Sequence, residues 1–414
     1  MIRNILLYIS SFIGLLAITF YIISYIKYKP SYKKTEEKNL PFVSIIIPAW
    51  NEENGISTTI ESILGLDYPK NKFEIIVVDD GSKDNTYKRA LKYKSSFVKV
   101  FRKSKNGGKY SAMNFAIKKA KGEIIVSTDA DKLHISRNAL RDMVQPFVNK
   151  RVMCVAPAMA INNPYKVLTR VQQVEYLLGV FLRKAFASVN AIHITPGAFS
   201  AYRKSFFEKY GGFKRAHLTE DMEMAIRIQS HHFIIENVAN AVVYTEAPTK
   251  FIPLLKQRRR WYVGLLRNLY DYKYMFSTTY GALGILVLPT AVFSIVISLI
   301  LSTHIFTTGI GEMIRKFRLL KLINFDIFHA FKLNMFFIQR AVFETLIDPL
   351  FIFATIFICI LIGYMIFAKR WIKKNSNIKV SLIIYIVLYP VLFLYWWIDA
   401  IIHATLLNKR VTWR

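Results

Sequence analysis

Four long apolar blocks constrain this chain more than any other feature of its sequence. They cover residues 5–26, 281–306, 351–368 and 380–397. Each block reaches or approaches the length of about 20 apolar residues that a helix needs to cross a bilayer. The first block has no small-residue cleavage pattern and leads straight into lysines. We therefore expect it to be kept as a membrane helix rather than removed as a signal peptide.

Basic residues beside these blocks indicate the orientation of the chain. Lysines follow the first block at positions 27, 29, 33 and 34, and a second basic group lies between the third and fourth blocks. Because positive residues mark the cytoplasmic side, both loops are predicted to be cytoplasmic. Helix counting then puts the basic stretch 315–340 outside, against that rule, so either the stretch lies along the bilayer surface or one crossing is miscounted. The sequence predicts a multi-pass protein of the cell membrane, with the topology around 307–340 left open.

Charge and cysteine content narrow the classes of function. The net charge of +30 fits solvated faces and contacts with anionic lipid, and it also fits a polyanionic ligand such as a nucleotide diphosphate or a nucleic acid. The chain has two cysteines, Cys154 and Cys359. They form no disulfide framework, so a reducing cytoplasmic location suits the polar part of the chain.

Between about residues 35 and 273 no block could span a membrane, and the pattern changes. Short runs rich in β-branched residues alternate with stretches of helical spacing. Strands are predicted at 43–47, 74–78, 98–101 and 123–128, with helices between them. This alternation is typical of an α/β domain whose mostly parallel sheet is covered on both faces.

Polar and acidic residues follow three of those predicted strands. The groups are Asn51-Glu52-Glu53, Asp79-Asp80-Gly81 and Asp129-Ala130-Asp131. Ligands of parallel sheets bind beyond the carboxyl ends of the strands, so we expect one site built from three loops. Mg²⁺ often takes one or two carboxylates together with phosphate oxygens, which makes Asp129 and Asp131 candidate metal ligands. The metal would neutralise charge on a departing diphosphate.

Two glycine-containing groups have a functional and a purely structural interpretation. The carboxylates before Gly81 could bond a nucleobase or ribose, or the segment could form a turn before a helix capped by Asp84. Asn106-Gly107-Gly108-Lys109 could hold a phosphate with its backbone N–H groups and its lysine, or could be a flexible loop.

Two groups further along the chain also have both a functional and a purely structural interpretation. Thr219-Glu220-Asp221 could supply the base that removes a proton from an acceptor hydroxyl, or could cap a helix. Gln257-Arg258-Arg259-Arg260-Trp261 combines groups that suit phosphate and sugar. It also fits a basic anchor with an interfacial tryptophan beside a membrane span.

Taken in order, these motifs resemble the processive family 2 glycosyltransferases, which are the hyaluronan, chitin, cellulose and poly-N-acetylglucosamine synthases. The resemblance covers roughly residues 42–264. The matching pieces are Pro48-Ala49-Trp50-Asn51-Glu52, Val77-Val78-Asp79-Asp80-Gly81-Ser82, Gly107-Gly108-Lys109 with Ala112 and Asn114, Asp129-Ala130-Asp131, Thr219-Glu220-Asp221, and Gln257 with Arg260-Trp261. The ordered set, ending in Gln-x-x-Arg-Trp before a membrane span, is specific.

The resemblance implies a role for each matching position. The residues it places on the nucleotide sugar are Asn51, Glu52, Asp80, Lys109 and Asp129, with Asp80 at the uridine. Asp129 and Asp131 would meet the diphosphate and its Mg²⁺ or Mn²⁺, with Asp131 preferred as the direct ligand. Asp221 would be the general base, and Glu220 would shape the acceptor site. Gln257, Arg260 and Trp261 would close over the nucleotide and the acceptor sugar.

The resemblance also implies an organisation and partners. A GT-A-type catalytic domain at 35–250 would be cytoplasmic and flanked by transmembrane and interfacial helices. These would be a membrane helix at 1–34, an interfacial amphipathic segment at 251–276, and a membrane region at 277–414 with about three helices and a basic interfacial segment. Expected partners are a UDP-sugar, probed first as UDP-N-acetylglucosamine or UDP-glucose, a polysaccharide acceptor and the bilayer, and no nucleic acid. So few helices leave room for an accessory membrane subunit.

Two alternatives to a processive synthase are open. A transferase that adds one sugar to a lipid-linked or polyprenyl-phosphate acceptor would share the nucleotide site, but is not expected to carry Gln-x-x-Arg-Trp. A non-enzymatic membrane protein that binds anionic lipid or nucleic acid would leave the acids at the strand ends unexplained.

Overall fold

The computed structural model describes residues 2–28, 35–322, 324, 339–340, 342–343, 346–347, 349–372 and 378–406. The strands are β1 Val43–Ala49, β2 Phe73–Asp79, β3 Val98–Arg102, β4 Ile124–Ser127, β5 His134–Ile135, β6 Val152–Ile161, β7 Ser200–Arg203 and β8 Ile234–Thr245. The helices are α1 Ile2–Lys27, α2 Ile56–Leu64, α3 Thr86–Leu91, α4 Lys109–Ile117, α5 Ala139–Val144, α6 Val167–Ser188, α7 Lys204–Tyr210, α8 Glu220–Ser230, α9 Phe251–Asp271, α10 Leu288–Leu322, α11 Pro349–Lys369 and α12 Ile378–Ile401.

The strands form one mixed sheet in the order β3-β2-β1-β4-β7-β6-β8-β5. β1 pairs in parallel with both β2 and β4, and β2 pairs in parallel with β3. β7 is antiparallel to β4 and to β6, so the sheet is parallel in its first half and mixed in its second. The chain moves from β1 outward to β3 and returns to the other side of β1 as β4. A crevice opens at such a reversal, beyond the carboxyl ends of β1 and β4.

The predicted strands are present because their residues are apolar on both faces. Ile45, Ile46 and Ile47 are fully buried. Successive strand residues point to opposite faces, so this run needs cover on both sides. One face packs against α2 and α5, and the other packs against α4, α7 and α8. The α/β fold with a mostly parallel sheet predicted from the sequence is confirmed, because among the described strands only β5 and β7 run against the other six.

Helix α6 joins the sheet to the apolar helices. Leu177 and Val180 pack against β6 on one side. Phe181 lies in a second cluster with Tyr21 of α1, and its ring stacks 3.8 Å from that of Tyr364 in α11. α6 therefore packs against both the sheet and the apolar helices and joins them directly.

Four helices in the described residues are long and apolar enough to cross a membrane. They lie at Ile5–Lys27, Leu283–Leu322, Phe351–Lys369 and Ile378–Thr405, on the four blocks expected from the sequence. The basic stretch 315–340 was expected to be interfacial, and that stays a prediction. Its described part as far as Leu322 continues α10, because nothing in that sequence breaks a helix. Lysines 33, 34, 373 and 374 and residues 325–338 lie outside the described residues.

The turn after β2 differs from expectation in one detail. The residue at the N-cap of α3 is Asn85, one position after the expected Asp84. Asp84 still accepts a hydrogen bond from the backbone N–H of Thr86 at 3.0 Å and one from Glu53 at 3.2 Å. These bonds outweigh desolvation and lower the pKa of Asp84. Asp84 therefore ties two loops together as well as starting the helix.

A buried carboxylate holds three strands together at their amino ends, opposite the crevice. Glu74 of β2 is 3% exposed. It accepts from the hydroxyl of Ser44 in β1 and from the backbone N–H of Lys121, both at 2.7 Å, and pairs with Lys99 of β3 at 2.6 Å. Burial favours the neutral acid, but these donors outweigh it and lower the pKa of Glu74.

We expect Glu74→Gln to lower the free energy of unfolding by about 1–3 kcal/mol at pH 7, because it leaves buried donors poorly paired. Since the folded pKa is depressed, this contribution is present above the ordinary glutamate pKa and is lost as the pH falls through the folded value. The gap between wild type and variant should therefore narrow in acid. Thermal unfolding in detergent at several pH values measures this difference in stability. The exposed Glu208→Gln is the control. The same difference at every pH would contradict the account.

Candidate active site

The loops after β1 and β2 are joined to each other by hydrogen bonds. Asn51 donates its backbone N–H to the hydroxyl of Ser82 at 2.9 Å, and its side-chain oxygen accepts from Lys83 at 2.9 Å. Glu52 donates its N–H to the hydroxyl of Thr86 at 2.8 Å. Asn51 has a φ of 54°, a left-handed conformation that asparagine tolerates better than most residues. Two of the three predicted loops thus form one surface.

Asp80 holds the segment that precedes α4. It is 2% exposed, and its carboxylate accepts from the N–H groups of Gly107 at 3.0 Å and Gly108 at 2.7 Å. Lys103, which the sequence did not single out, pairs with the other oxygen of Asp80. The two glycine N–H groups are therefore directed at a protein carboxylate, not at a ligand as the sequence suggested. The glycine segment is built around Asp80.

Lys109 brings two distant motifs together. Its ammonium lies 2.5 Å from Oδ1 of Asp129. Burial opposes the charged form of Lys109, but the charges of Asp129, Glu220 and Asp221 together raise its pKa. Residues about 90 positions apart in sequence therefore share one electrostatic environment. The interpretation of the lysine as a solvated loop residue is wrong.

Asp131 lies in an environment that disfavours its charge. Asp131 is exposed as a residue, yet desolvation by nearby protein atoms and repulsion from Asp129 and Glu52 raise the pKa of its carboxyl. A cation would relieve this repulsion. No three His, Cys, Asp or Glu side chains converge as a metal cage within the part of the chain described here. The aspartate pair fits a divalent cation that takes its other ligands from phosphate.

The predicted base lies at the first turn of α8. Asp221 accepts a hydrogen bond from the N–H of Met222 at 3.0 Å and is partly exposed. Its neighbour Glu220 is 4% exposed, and burial followed by the charge of Asp221 raises its pKa against the opposing charges of Lys109 and Arg260. The two carboxylates therefore differ in environment, and Asp221 is the more accessible one.

Gly197 separates Lys109 from Asp221, and the sequence gave no expectation for it. A Cβ at this position would lie 2.7 Å from Oδ2 of Asp221 and 2.8 Å from the ammonium of Lys109. Nearby, Thr195 donates its hydroxyl to the backbone carbonyl of Asp221 at 3.2 Å. The only signal in the sequence is a Pro-Gly pair before β7, which by itself indicates a turn.

Gly55, at the start of α2, makes an equally close approach to the aspartate loop. A Cβ there would lie 2.5 Å from the carbonyl oxygen of Ala130 and 3.0 Å from Cα of Asp131. Such distances require the loop to move. Gly55 therefore sets how close the loop after β1 can come to the loop after β4.

Helix α9 packs against the start of α8. A Cβ on Gly264 would lie 2.4 Å from the side chain of Thr219, and Asn268 donates to the hydroxyl of Thr219 at 2.9 Å. The helix that carries Gln-x-x-Arg-Trp is thus seated directly beside the Glu220-Asp221 pair. The positive charge of Arg260 acts on Glu220.

The polar side chains of α9 have different surroundings. Arg258 is 4% exposed and pairs with Glu175 of α6 at 2.5 Å. Arg259 pairs with Asp399 of α12. The side-chain oxygen of Gln257 is buried and has no hydrogen-bond partner among the described residues. Two of the arginines bind protein carboxylates, whereas the glutamine offers an unused acceptor. A basic anchor does not explain that arrangement.

Comparison with known proteins finds similarity mainly in the part of the chain that forms the sheet. The profile of glycosyl transferase family 2 matches residues 44–211. A β-monoglucosyldiacylglycerol synthase of Trichormus variabilis is 29% identical over 246 residues, which is 58% of this chain and 52% of the relative. A poly-β-1,6-N-acetyl-D-glucosamine synthase of Staphylococcus epidermidis is 29% identical over 259 residues, 60% of this chain and 62% of the relative. The matched region spans about half to three-fifths of these relatives.

One solved structure resembles the chain over most of its length. It is a mannosyltransferase of Pyrobaculum calidifontis in complex with GDP-Man and Mn²⁺. The TM-score is 0.56 at 20% identity, and the match covers 91% of this chain and all of that one. At this identity the likeness concerns the fold.

We expect Gly55→Ala to slow the reaction catalysed at this site by about 100-fold, because a displacement of about 1 Å at a reacting group can cost that much. Gly65→Ala is the matched control at the other end of α2, where a Cβ would make ordinary contacts of 3.6 Å. Initial rates of the two variants in lipid, with circular dichroism to confirm folding, provide the measurement. A fully active Gly55→Ala would show that this close approach does not position the site.

Proposed function

We propose that the chain is a glycosyltransferase, on the strength of the glycosyl transferase family 2 match at residues 44–211. From this premise we propose a membrane-embedded, inverting transferase that passes sugars processively from a UDP-sugar to a growing polysaccharide. The observation that carries the proposal is the meeting of Lys109, Asp129, Glu220 and Asp221 in one charged cleft, with α9 seated beside it.

The donor side of the cleft consists of the three loops at the carboxyl ends of the strands. Asp80 would face the uridine, with Asn51 and Glu52 beside it, and Lys109 would meet the diphosphate. Asp129 and Asp131 would hold Mg²⁺ or Mn²⁺, which when bound neutralises charge on the leaving nucleotide. UDP-N-acetylglucosamine and UDP-glucose are the first donors to try. The poly-N-acetylglucosamine synthase named above supports the former.

The acceptor side would be formed by α8 and α9. The acceptor hydroxyl oxygen attacks the anomeric carbon, the bond from that carbon to the diphosphate breaks, and the hydroxyl proton passes to Asp221. Glu220, buried beside it, shapes this side of the cleft. The side-chain oxygen of Gln257, which has no hydrogen-bond partner among the described residues, is suited to accept a bond from a sugar hydroxyl, and the ring of Trp261 is suited to stack on a sugar.

Membrane embedding is supported by the four candidate spans. We propose that α1 and α10–α12 cross the bilayer, that the domain at 35–250 is cytoplasmic and that α9 lies at the interface within the segment 251–276. The polymer would leave along the membrane helices, alone or with an accessory subunit. Arg258 and Arg259 support the interfacial setting because they tie α9 to α6 and α12.

A second candidate is the addition of one sugar to a lipid acceptor. The relative from Trichormus variabilis, named for a glucolipid product, favours it, and it matches this chain as well as the polysaccharide synthase does. Both candidates use the same donor site and base. They differ in the number of sugars added per acceptor.

The deciding experiment uses purified protein in lipid with Mn²⁺ and a panel of labelled UDP-sugars. We expect UDP release and a long labelled polymer from one donor. Asp221→Asn should lower kcat by at least about 100-fold and leave donor binding within about threefold, since the base acts only in the transition state. The exposed Asp67→Asn is the charge-matched control. A product only one sugar longer would favour the lipid acceptor, and no release from any donor would contradict both.

We further expect EDTA to abolish transfer and added Mn²⁺ or Mg²⁺ to restore it. Asp131→Asn should raise the metal concentration needed for half-maximal rate by about tenfold or more, because one of two charged ligands is lost. Titration of Mn²⁺ at saturating donor measures this shift. Unchanged activity in EDTA would exclude a required divalent cation.

A further inference from the structure

A carboxylate lies within the last apolar helix. Asp399 belongs to α12, inside the candidate span Ile378–Thr405, and its side chain is 13% exposed. An ionised side chain in such a helix is costly unless it is paired, and it often marks a functional contact. The partner of Asp399 therefore indicates what the residue does.

Its nearest charged partner is Arg259 of α9, and His403, one turn further along the chain, lies 3.6 Å from its Oδ1. The Nε of Arg259 donates to Oδ2 of Asp399 at 2.7 Å, and its Nη2 donates to Oδ1 at 2.8 Å. Two parallel bonds of this kind fix orientation as well as distance. Next to them the rings of Tyr262 and Trp397 stack with centroids 4.5 Å apart and planes 7° apart. α9 and α12 are thus joined by both a charged and an aromatic contact.

The position of Arg259 on α9 decides which face of the helix this ion pair holds. At 3.6 residues per turn, Arg259 lies about 160° around the helix from both Gln257 and Trp261, which share a face. The pair with Asp399 therefore holds the back of α9, opposite the face proposed to meet nucleotide and sugar. The pair of Arg258 with Glu175 holds the side between them. Together these contacts fix the rotation of the helix.

We propose that Asp399 is a positioning residue, which through Arg259 sets the rotation of α9 and thereby the places of Gln257, Arg260 and Trp261. The inference rests on the function proposed above for those three residues. A turn of about 20° moves a side-chain tip about 6 Å from the helix axis by about 2 Å. Displacements of about 1 Å at a reacting centre can cost 100-fold in rate.

The activity test uses Asp399→Asn and Arg259→Gln, singly and together. Each single variant should lower kcat about 10- to 100-fold with KM for the donor within about threefold, and the double variant should be no slower than the slower single one, because one interaction is lost. Arg259→Lys, which keeps the charge without the two-bond geometry, should be intermediate. Lys256→Gln is the matched control, since it removes a charge from the exposed side of the same helix.

A second readout follows the helix without substrate. In a Cys359→Ser background, Gln257→Cys reports the exposure of the active face, because the remaining Cys154 is buried. Asp399→Asn should change the rate of thiol labelling at position 257 severalfold, because a rotation of α9 changes the exposure of that side chain. Lys256→Gln should leave that rate unchanged.

The two readouts separate the possible failures. Wild-type kcat per folded protein and unchanged labelling in Asp399→Asn would overturn the inference and leave the proposed function intact. Losses confined to yield or melting temperature would also overturn it, because the pair would then only stabilise the fold. If the labelling responds but wild type transfers no sugar from any UDP-sugar, the proposed function fails while the coupling of α12 to α9 stands.

Discussion

Repulsion between carboxylates is the constraint on which this cleft depends. Asp129 and Asp131 lie in the loop after β4 and Glu220 lies at the start of α8; Asp129 is paired with Lys109, and the surroundings of Asp131 and Glu220 raise the pKa of both carboxyls. The ammonium of Lys109 balances part of that charge and links the loop after β4 to the start of α8. The charge that Lys109 leaves unbalanced is a physical reason for a divalent cation and a diphosphate to bind together, since each compensates the other. The same unbalanced charge destabilises the cleft without its ligands.

The sequence predicted the sheet and the acids well because both are local. A fully buried strand such as β1 is visible as an apolar run, and the polar groups that follow a strand must lie at its carboxyl end. The mixed second half of the sheet was not predicted, because the antiparallel pairing of β7 with β4 and β6 depends on chain reversals between distant segments. The division of the chain at residues 34, 250 and 276 and the roles of the site residues stay predictions.

Most of the contacts that position the site could not be predicted from the sequence. Gly55 and Gly197 matter because of what lies within 3 Å of a missing Cβ, which only a folded structure shows. Arg258 and Arg259 look alike in the sequence, yet they pair with carboxylates on two different helices. Long-range partners of this kind leave no periodic or spacing signal. A single helix, α9, thus connects the last apolar helix, through Arg259 and Asp399, to the start of α8, where Glu220 and Asp221 lie.

The most direct test of the central claim is a cryo-EM structure of the protein in lipid with UDP and Mn²⁺. The account predicts a diphosphate between Lys109 and the pair Asp129 and Asp131, with one metal ion beside it and the uracil against the loop that holds Asp80. It also predicts that the side-chain oxygen of Gln257, which has no hydrogen-bond partner among the described residues, faces this space. A nucleotide bound elsewhere, or an empty cleft at saturating UDP, would contradict the assignment of this cleft as the donor site.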